Sequence, residues 1–267
     1  MSERNSYPPG VPCWVDIAQP DPSAAMSFYR GLFGWEFSGP GETPDGGDYF
    51  VARLRGRDVA GVSTEPAQGA AVTPAWTTHV RVDNAAEAAE KAQRAGGSVV
   101  AGPFEALPAE RLAVLADTAG AVFCVWEAEQ REGAQLVNQA GAWSWSQLIT
   151  HDPDGAKSFY TELFGWEPET FAMGDAEITL FRLPGYVGGE PTQPVSRDVV
   201  AGMAASDEDA AGWSVDFWIA DTSEAVSTAE RLGGGVLVPP YETPITTQAV
   251  LADPWGASFS VSKVPGT

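Results

Sequence analysis

The sixteen residues from Asp21 to Glu36 recur from Asp152 to Glu167, with eleven identities at an offset of 131. An internal repeat constrains a chain more than any single motif, because both copies must satisfy the same packing rules. Each copy reads as one helix. Asp21 or Asp152 is the N-cap, Pro22 or Pro153 fills the first helical position, and Gly34 or Gly165 supplies a left-handed end. Ala25, Phe28, Tyr29 and Leu32 fall at i, i+3, i+4 and i+7, an apolar stripe for packing on a sheet.

A weaker repeat aligns Trp76–Phe104 with Trp213–Tyr241 at an offset of 137. In both, a short strand runs into Asn84 or Asp221, then an Ala/Glu-rich helix that stops at Gly96-Gly97 or Gly233-Gly234. Further on, the turn Asp117-x-x-Gly120 matches Asp253-x-x-Gly256 between apolar strands, a hairpin pattern. The chain is thus a tandem duplication with its boundary near Glu132–Gln139, giving domains 1–133 and 134–267. The order strand–helix–strands appears twice per half, so four βαβββ modules begin near Val11, Ala75, Ala142 and Gly212. The fold class is α+β with mixed sheets. Gly39–Gly47 and Gly185–Arg197 read as loops, and whether module one shares a cup with module two or with module four is left open.

The charge balance is 15 Lys and Arg against 36 Asp and Glu, a formal −21 on 267 residues. So few cations exclude nucleic acid and anionic membrane as principal partners. Hydrophobic residues at 44 % place the chain among globular proteins. With only His79 and His151, no site in one chain can require three histidines. Cys13 and Cys124 form neither a disulfide framework nor a metal pair. No signal-peptide start and no membrane-length apolar run is visible, so a cytoplasmic location is expected.

The Asp-Pro cap, Phe-Tyr and Leu-Phe-Gly-Trp helix and the later Asp-x-x-Gly turn resemble the vicinal oxygen chelate superfamily, which includes glyoxalase I, extradiol dioxygenases and bleomycin-resistance proteins. The tryptophan-rich two-domain form is similar to actinobacterial glyoxalase-like proteins that often carry a hydroxylase name. The resemblance implies tandem domains whose modules curl into cups, and a divalent metal held from the first and last strands. At the corresponding positions stand Trp14, Thr77, Cys124, Trp145, Ser214 and Ser260. Indole N–H cannot ligate, and isolated hydroxyls are poor ligands, so neither metal nor other cofactor is expected. The enzyme question stays open on the same ground.

Alternation along each strand assigns the cup faces. The cup face shows Trp14 and Asp16 in module one, Thr77, His79 and Arg81 in module two, Trp145 and Gln147 in module three, and Ser214, Asp216 and Trp218 in module four, with Cys124, Trp126 and Ser260 added by the last strands. Arg81 is expected to pair with Asp16 or to clamp a carboxylate, and Trp35 and Trp166 read as structural. Acidity other than Asp16 and Asp216 is assigned to the surface. The function expected is a metal-free small-molecule-binding protein of glyoxalase/bleomycin-resistance type, holding an aromatic or hydrophobic ligand in Trp-lined cups. The alternatives are a metal-independent isomerase, lyase or hydroxylase-type enzyme using His79, oriented by Asp16 or Asp216, and a degenerate scaffold for protein interaction. The duplication makes a monomer (a pseudo-dimer) or a homodimer the expected state.

Overall fold

The computed structural model describes residues 3–43, 46–64, 74–105, 110–128, 132–173, 176–188, 195–207 and 211–263. Module one contains β1 (Pro12–Gln19), α1 (Pro22–Phe33), β2 (Glu36–Glu42), β3 (Asp48–Leu54) and β4 (Arg57–Thr64). Module two contains β5 (Trp76–Val82), α2 (Ala85–Arg94), β6 (Ser98–Glu105), β7 (Glu110–Ala116) and β8 (Val122–Ala128). Module three contains β9 (Trp143–Thr150), α3 (Pro153–Phe164), β10 (Glu167–Met173), β11 (Ala176–Arg182) and β12 (Val199–Ala205). Module four contains β13 (Gly212–Ile219), α4 (Thr222–Arg231), β14 (Gly235–Glu242), β15 (Thr247–Ala252) and β16 (Ser258–Lys263).

The local signals act as read. Asp21 and Asp152 accept from the backbone N–H three residues on, Asn84 and Asp221 do the same for α2 and α4, and Gly34 and Gly165 take left-handed φ values of 73° and 74°. One difference lies at Gly39–Gly47, where β2 continues through Glu42 and pairs with β3. A register shift between Ser38 and Gly41 absorbs Pro40, as a bulge in an edge strand allows. Positions 44 and 45, and 189–194 of the second expected loop, lie outside the described residues.

Two eight-stranded mixed sheets result, ordered β2-β3-β4-β1-β5-β8-β7-β6 and β10-β11-β12-β9-β13-β16-β15-β14. In each, two modules meet through an antiparallel central pair, β1 with β5 and β9 with β13. Module one therefore shares its sheet with module two, and three with four.

The helices, however, cross over. α1 packs on α4 and α2 on α3, while β5 and β13 lie close between the sheets. Phe28 and Phe33 meet Phe259, and Phe33, Trp35 and Trp76 meet Phe217. The apolar stripe thus packs on the other half's sheet as well as its own, and the buried residues form one continuous core. In α1 the fourth buried member is Phe33, with Leu32 only half-buried.

Polar clasps fix this arrangement. Tyr29 Oη donates to Asp253 Oδ2 (2.9 Å), and Tyr160 Oη donates to Asp117 Oδ2 (3.1 Å). Each Asp also uses Oδ1 to accept two backbone N–H groups of its own turn. Trp35 and Trp166, both fully buried, donate across the halves to the carbonyls of Gly141 and Gly10, each at 2.7 Å. The assignment of acidity outside Asp16 and Asp216 to the surface needs correction, because Asp58, Asp117 and Asp253 are buried too. Each has donors that compensate its desolvation.

Tyr160 Oη also accepts from Trp213 Nε1 (3.0 Å), so Tyr160→Phe strands two buried polar groups at once. It should lower stability by about 2 kcal/mol in urea unfolding. An unchanged midpoint would mean that the clasp does not stabilise the fold.

Candidate functional site

The two sheets have the same strand order, and their registers give an explicit correspondence. Asp16 opposite Gly61 matches Gln147 opposite Gly202, and His79 beside Cys124 matches Asp216 beside Ser260. By the same count Trp14 matches Trp145, Arg81 matches Trp218, Trp126 matches Ser262, and Tyr49 matches Ile178.

The first cup is filled. Trp14 is 0 % exposed, its indole edge-on to Trp126 at 5.9 Å, and its Nε1 donates to Tyr49 Oη (2.8 Å). Tyr49 in turn donates to Asp16 Oδ2 (3.0 Å). Gly61 makes this possible, since a Cβ there would lie 2.0 Å from the Tyr49 hydroxyl. His79, 3 % exposed, brings Nε2 to 2.9 Å from Asp16 Oδ1 without the alignment of a hydrogen bond. Cys124 is buried beside it, and burial pushes its thiol well above the ordinary range. That thiol stays protonated and inert as a nucleophile.

Arg81 does not reach Asp16. Its guanidinium contacts the Val82 carbonyl and Asp83, because Asp16 is already taken by Tyr49 and His79. Thr77 is half-buried opposite Asp16. Asp216 lies in the other sheet among its own donors and does not orient His79.

The second cup is open. A cavity of about 460 Å³ is walled by Trp143, Trp145, Trp218, Phe171, Ile178 and Leu180, with Gln147, Asp216, Ser144, Gln248 and Ser262 among its polar lining. The reason is volumetric. Ser262 and Ile178 stand where Trp126 and Tyr49 fill the first cup, and Trp145 keeps an accessible face. Its indole lies against Gly202, whose absent side chain gives the ring its place. Ser214 and Ser260 sit on the same strands outside this lining, Ser260 Oγ donating to the Val215 carbonyl at 3.2 Å.

The N-terminal segment completes the wall. Arg4, Tyr7, Val11 and Pro12 line the cavity, and Tyr7 Oη donates to the Ala134 carbonyl at 2.7 Å. No periodic pattern marks Arg4 or Tyr7 in the sequence, so this contribution is invisible there. Tyr49, Ile178 and Ser262 are legible only once β3, β11 and β16 are placed in register.

Asp216 accepts from Ser144 Oγ and Ser262 Oγ, each at 2.7 Å, and from Gln248 Nε2 at 3.3 Å. Burial nevertheless raises its carboxyl above the ordinary 3.8, these hydrogen bonds opposing the rise. The donor set does not fit a divalent metal. Among the described residues no three His, Cys, Asp or Glu side chains stand together, and the one carboxylate of the cup is surrounded by hydroxyl and amide donors turned towards it.

Residues 14–126 and 147–262 each match the model of the glyoxalase-like domain. The chain belongs to the glyoxalase-like family. CFP32 of Mycobacterium tuberculosis, provisionally named a glyoxylase, is 34 % identical over 270 residues, 98 % of each chain. The anthracycline biosynthesis protein DnrV of Streptomyces peucetius is 32 % identical over 267 residues, 96 % of this chain and 94 % of that one. Among solved structures, the Mn(II)-bound glyoxalase of Novosphingobium aromaticivorans aligns with a TM-score of 0.65 at 14 % identity, over 96 % of this chain and 82 % of that one. The 2,3-dioxygenase LapB of Pseudomonas sp. KL28 gives 0.63 at 14 %, over 96 % and 93 %. The fold is that of the vicinal oxygen chelate superfamily, whose proteins bind small molecules. Among the described residues no helix is long and apolar enough to cross a membrane.

Two measurements check this geometry. Trp14→Ala should cost about 3–5 kcal/mol, as for a fully buried aromatic, and Trp145→Ala about half that, since Trp145 already borders a cavity. Equal losses would contradict the filled and open cups. A raised carboxyl binds its proton more tightly in the folded state, so its share of stability is greatest below pH 3.8 and is lost as pH rises through the folded value. Asp216→Asn should therefore flatten the fall of Tm with rising pH above that point; an unaltered slope would deny the shift.

Proposed function

We propose that this protein binds a planar aromatic small molecule in its second cup without a metal ion, residues 1–133 and 134–267 forming its two glyoxalase-like domains. The observation that carries this reading is the cavity of about 460 Å³ walled by three indoles, in a cup whose counterpart is packed shut. Its size matches a ligand of several fused rings, and flat apolar walls with few polar groups suit an aromatic body. The anthracycline association in the name of DnrV agrees with a polycyclic aromatic ligand.

In this reading the first cup is the counterweight. Trp14, Trp126 and His79 hold it closed, which leaves the enzymatic alternative built on His79 and Asp16 without a space for substrate at the imidazole. Trp145, Gln147, Asp216 and Trp218 carry the binding role, and Ser214 and Ser260 support their strands. A surface scaffold would not need an interior cavity.

Titration of metal-stripped protein with an anthracycline aglycone, followed by intrinsic tryptophan fluorescence, tests the proposal. Saturable one-to-one binding that survives EDTA is expected. Ser262→Trp, which restores the first cup's filling residue, should weaken binding by at least about tenfold. A requirement for added divalent cation, or unchanged affinity in Ser262→Trp, would overturn it.

A further inference from the structure

The polar groups of the second cup are not chemically balanced. Asp216, the cup's one acidic group among the described lining residues, is already engaged by Ser144, Ser262 and Gln248. Trp143 Nε1 is likewise spent on the Trp145 carbonyl at 2.9 Å. Trp145 Nε1 and Trp218 Nε1 have no hydrogen-bond partner among the described residues, and neither is sealed away from the cavity. An indole N–H is a donor only. The guanidinium of Arg4, also in the lining, is donor-only too and lies against the Tyr186 hydroxyl.

From this surplus of donors we infer that the ligand of the second cup is an aromatic ketone or quinone, with carbonyl oxygens placed to accept from the indole N–H groups of Trp145 and Trp218. This rests on the reading of the second cup as an aromatic site and adds the functional group that the site selects. The physical ground is an asymmetry of cost. A hydrocarbon of the same shape would cover two N–H groups and leave them unsatisfied, whereas a carbonyl pairs with one or both. A site built to hydrogen-bond its ligand rejects the analogue that lacks the group. Gln147, on the same strand as Trp145, can add a third hydrogen bond from its amide.

The rival ligand chemistry is an organic cation resting on Asp216 between aromatic walls. It is disfavoured because the carboxylate oxygens face Ser144, Ser262 and Gln248, and because Arg4 shares the lining. The first cup satisfies one such donor internally, that of Trp14, and leaves the Trp126 indole N–H buried without a partner among the described residues. There the Trp14 indole N–H meets the Tyr49 hydroxyl, and at the matching place in the second cup Ile178 offers no acceptor. A ligand carbonyl would supply the acceptor that Ile178 lacks.

Three probes of one shape separate these outcomes: 9-fluorenone, fluorene and 9-aminofluorene, titrated calorimetrically into the full chain. Fluorenone is expected to bind about tenfold more tightly than fluorene, and the protonated amine more weakly than fluorenone. Trp145→Phe and Trp218→Phe keep an aromatic ring but lose the N–H together with the pyrrole half of the indole, so fluorene serves as the control for lost stacking. Each should lower fluorenone affinity about 3- to 10-fold more than it lowers fluorene affinity, with urea midpoints confirming that both variants are folded. Equal affinity for fluorenone and fluorene, with equal losses for both probes in each variant, would overturn this inference while the aromatic site stands. Tightest binding by the amine would also overturn it. Failure of all three probes to bind would overturn the aromatic site and the inference together.

Discussion

The hydrogen bonds from Tyr29 to Asp253 and from Tyr160 to Asp117 tie each half of the chain to the other half's last hairpin. The same carboxylate serves two ends: Oδ1 fastens the turn and Oδ2 receives the tyrosine. That fixes where α1 and α3 can lie, because a tyrosine bound to a turn cannot slide along its helix. The aromatic residues beside it are then delivered to the opposite sheet, Phe28 and Phe33 against Phe259 in one direction and Tyr160 against Phe123 in the other. Thr78 and Ser146 share a hydrogen bond of 2.8 Å where the two central strands come together. Separating the halves would expose a large apolar surface and strand two buried carboxylates.

On this common frame the two cups differ at a handful of inward positions. Tyr49, Trp126 and His79 give way to Ile178, Ser262 and Asp216, while the tryptophan of the first strand is kept as Trp14 and Trp145. Loss of two large aromatic side chains opens space, and loss of one tyrosine hydroxyl releases an indole N–H into it. The first cup holds close packing and a hydrogen-bond chain from Trp14 through Tyr49 to Asp16, with the Trp126 indole N–H and both His79 ring nitrogens outside it. The second gives up part of that packing for a cavity with reachable donors, the usual division between stability and a binding site.

Most of the fold is legible in the sequence because it is written twice. The Asp caps, the Gly34 and Gly165 ends and the Asp-x-x-Gly turns are local, and local chemistry is readable without knowing distant neighbours. Strand alternation also places Trp145, Gln147, Asp216 and Trp218 on the inner face. What escapes it is pairwise. Arg81 lies on the right strand to meet Asp16, yet Tyr49 from β3 has the carboxylate, and nothing in the spacing of either residue announces that competition. Asp117 and Asp253 read as turn residues, and their second use depends on a tyrosine over forty or over two hundred positions away. The filled and open cups are likewise invisible until β8 and β16 are set in register.

The crossing of the helices also bears on how the chain reaches its folded state. The ring cluster around Phe28 and Phe33 is completed by Phe217 and Phe259, the latter from the final strand β16. During synthesis the first half therefore emerges with an aromatic face that its own sheet cannot cover. That face stays exposed to water, and to other nascent chains, until β16 has left the ribosome. A duplicated protein of this kind is two domains in outline but one unit in assembly.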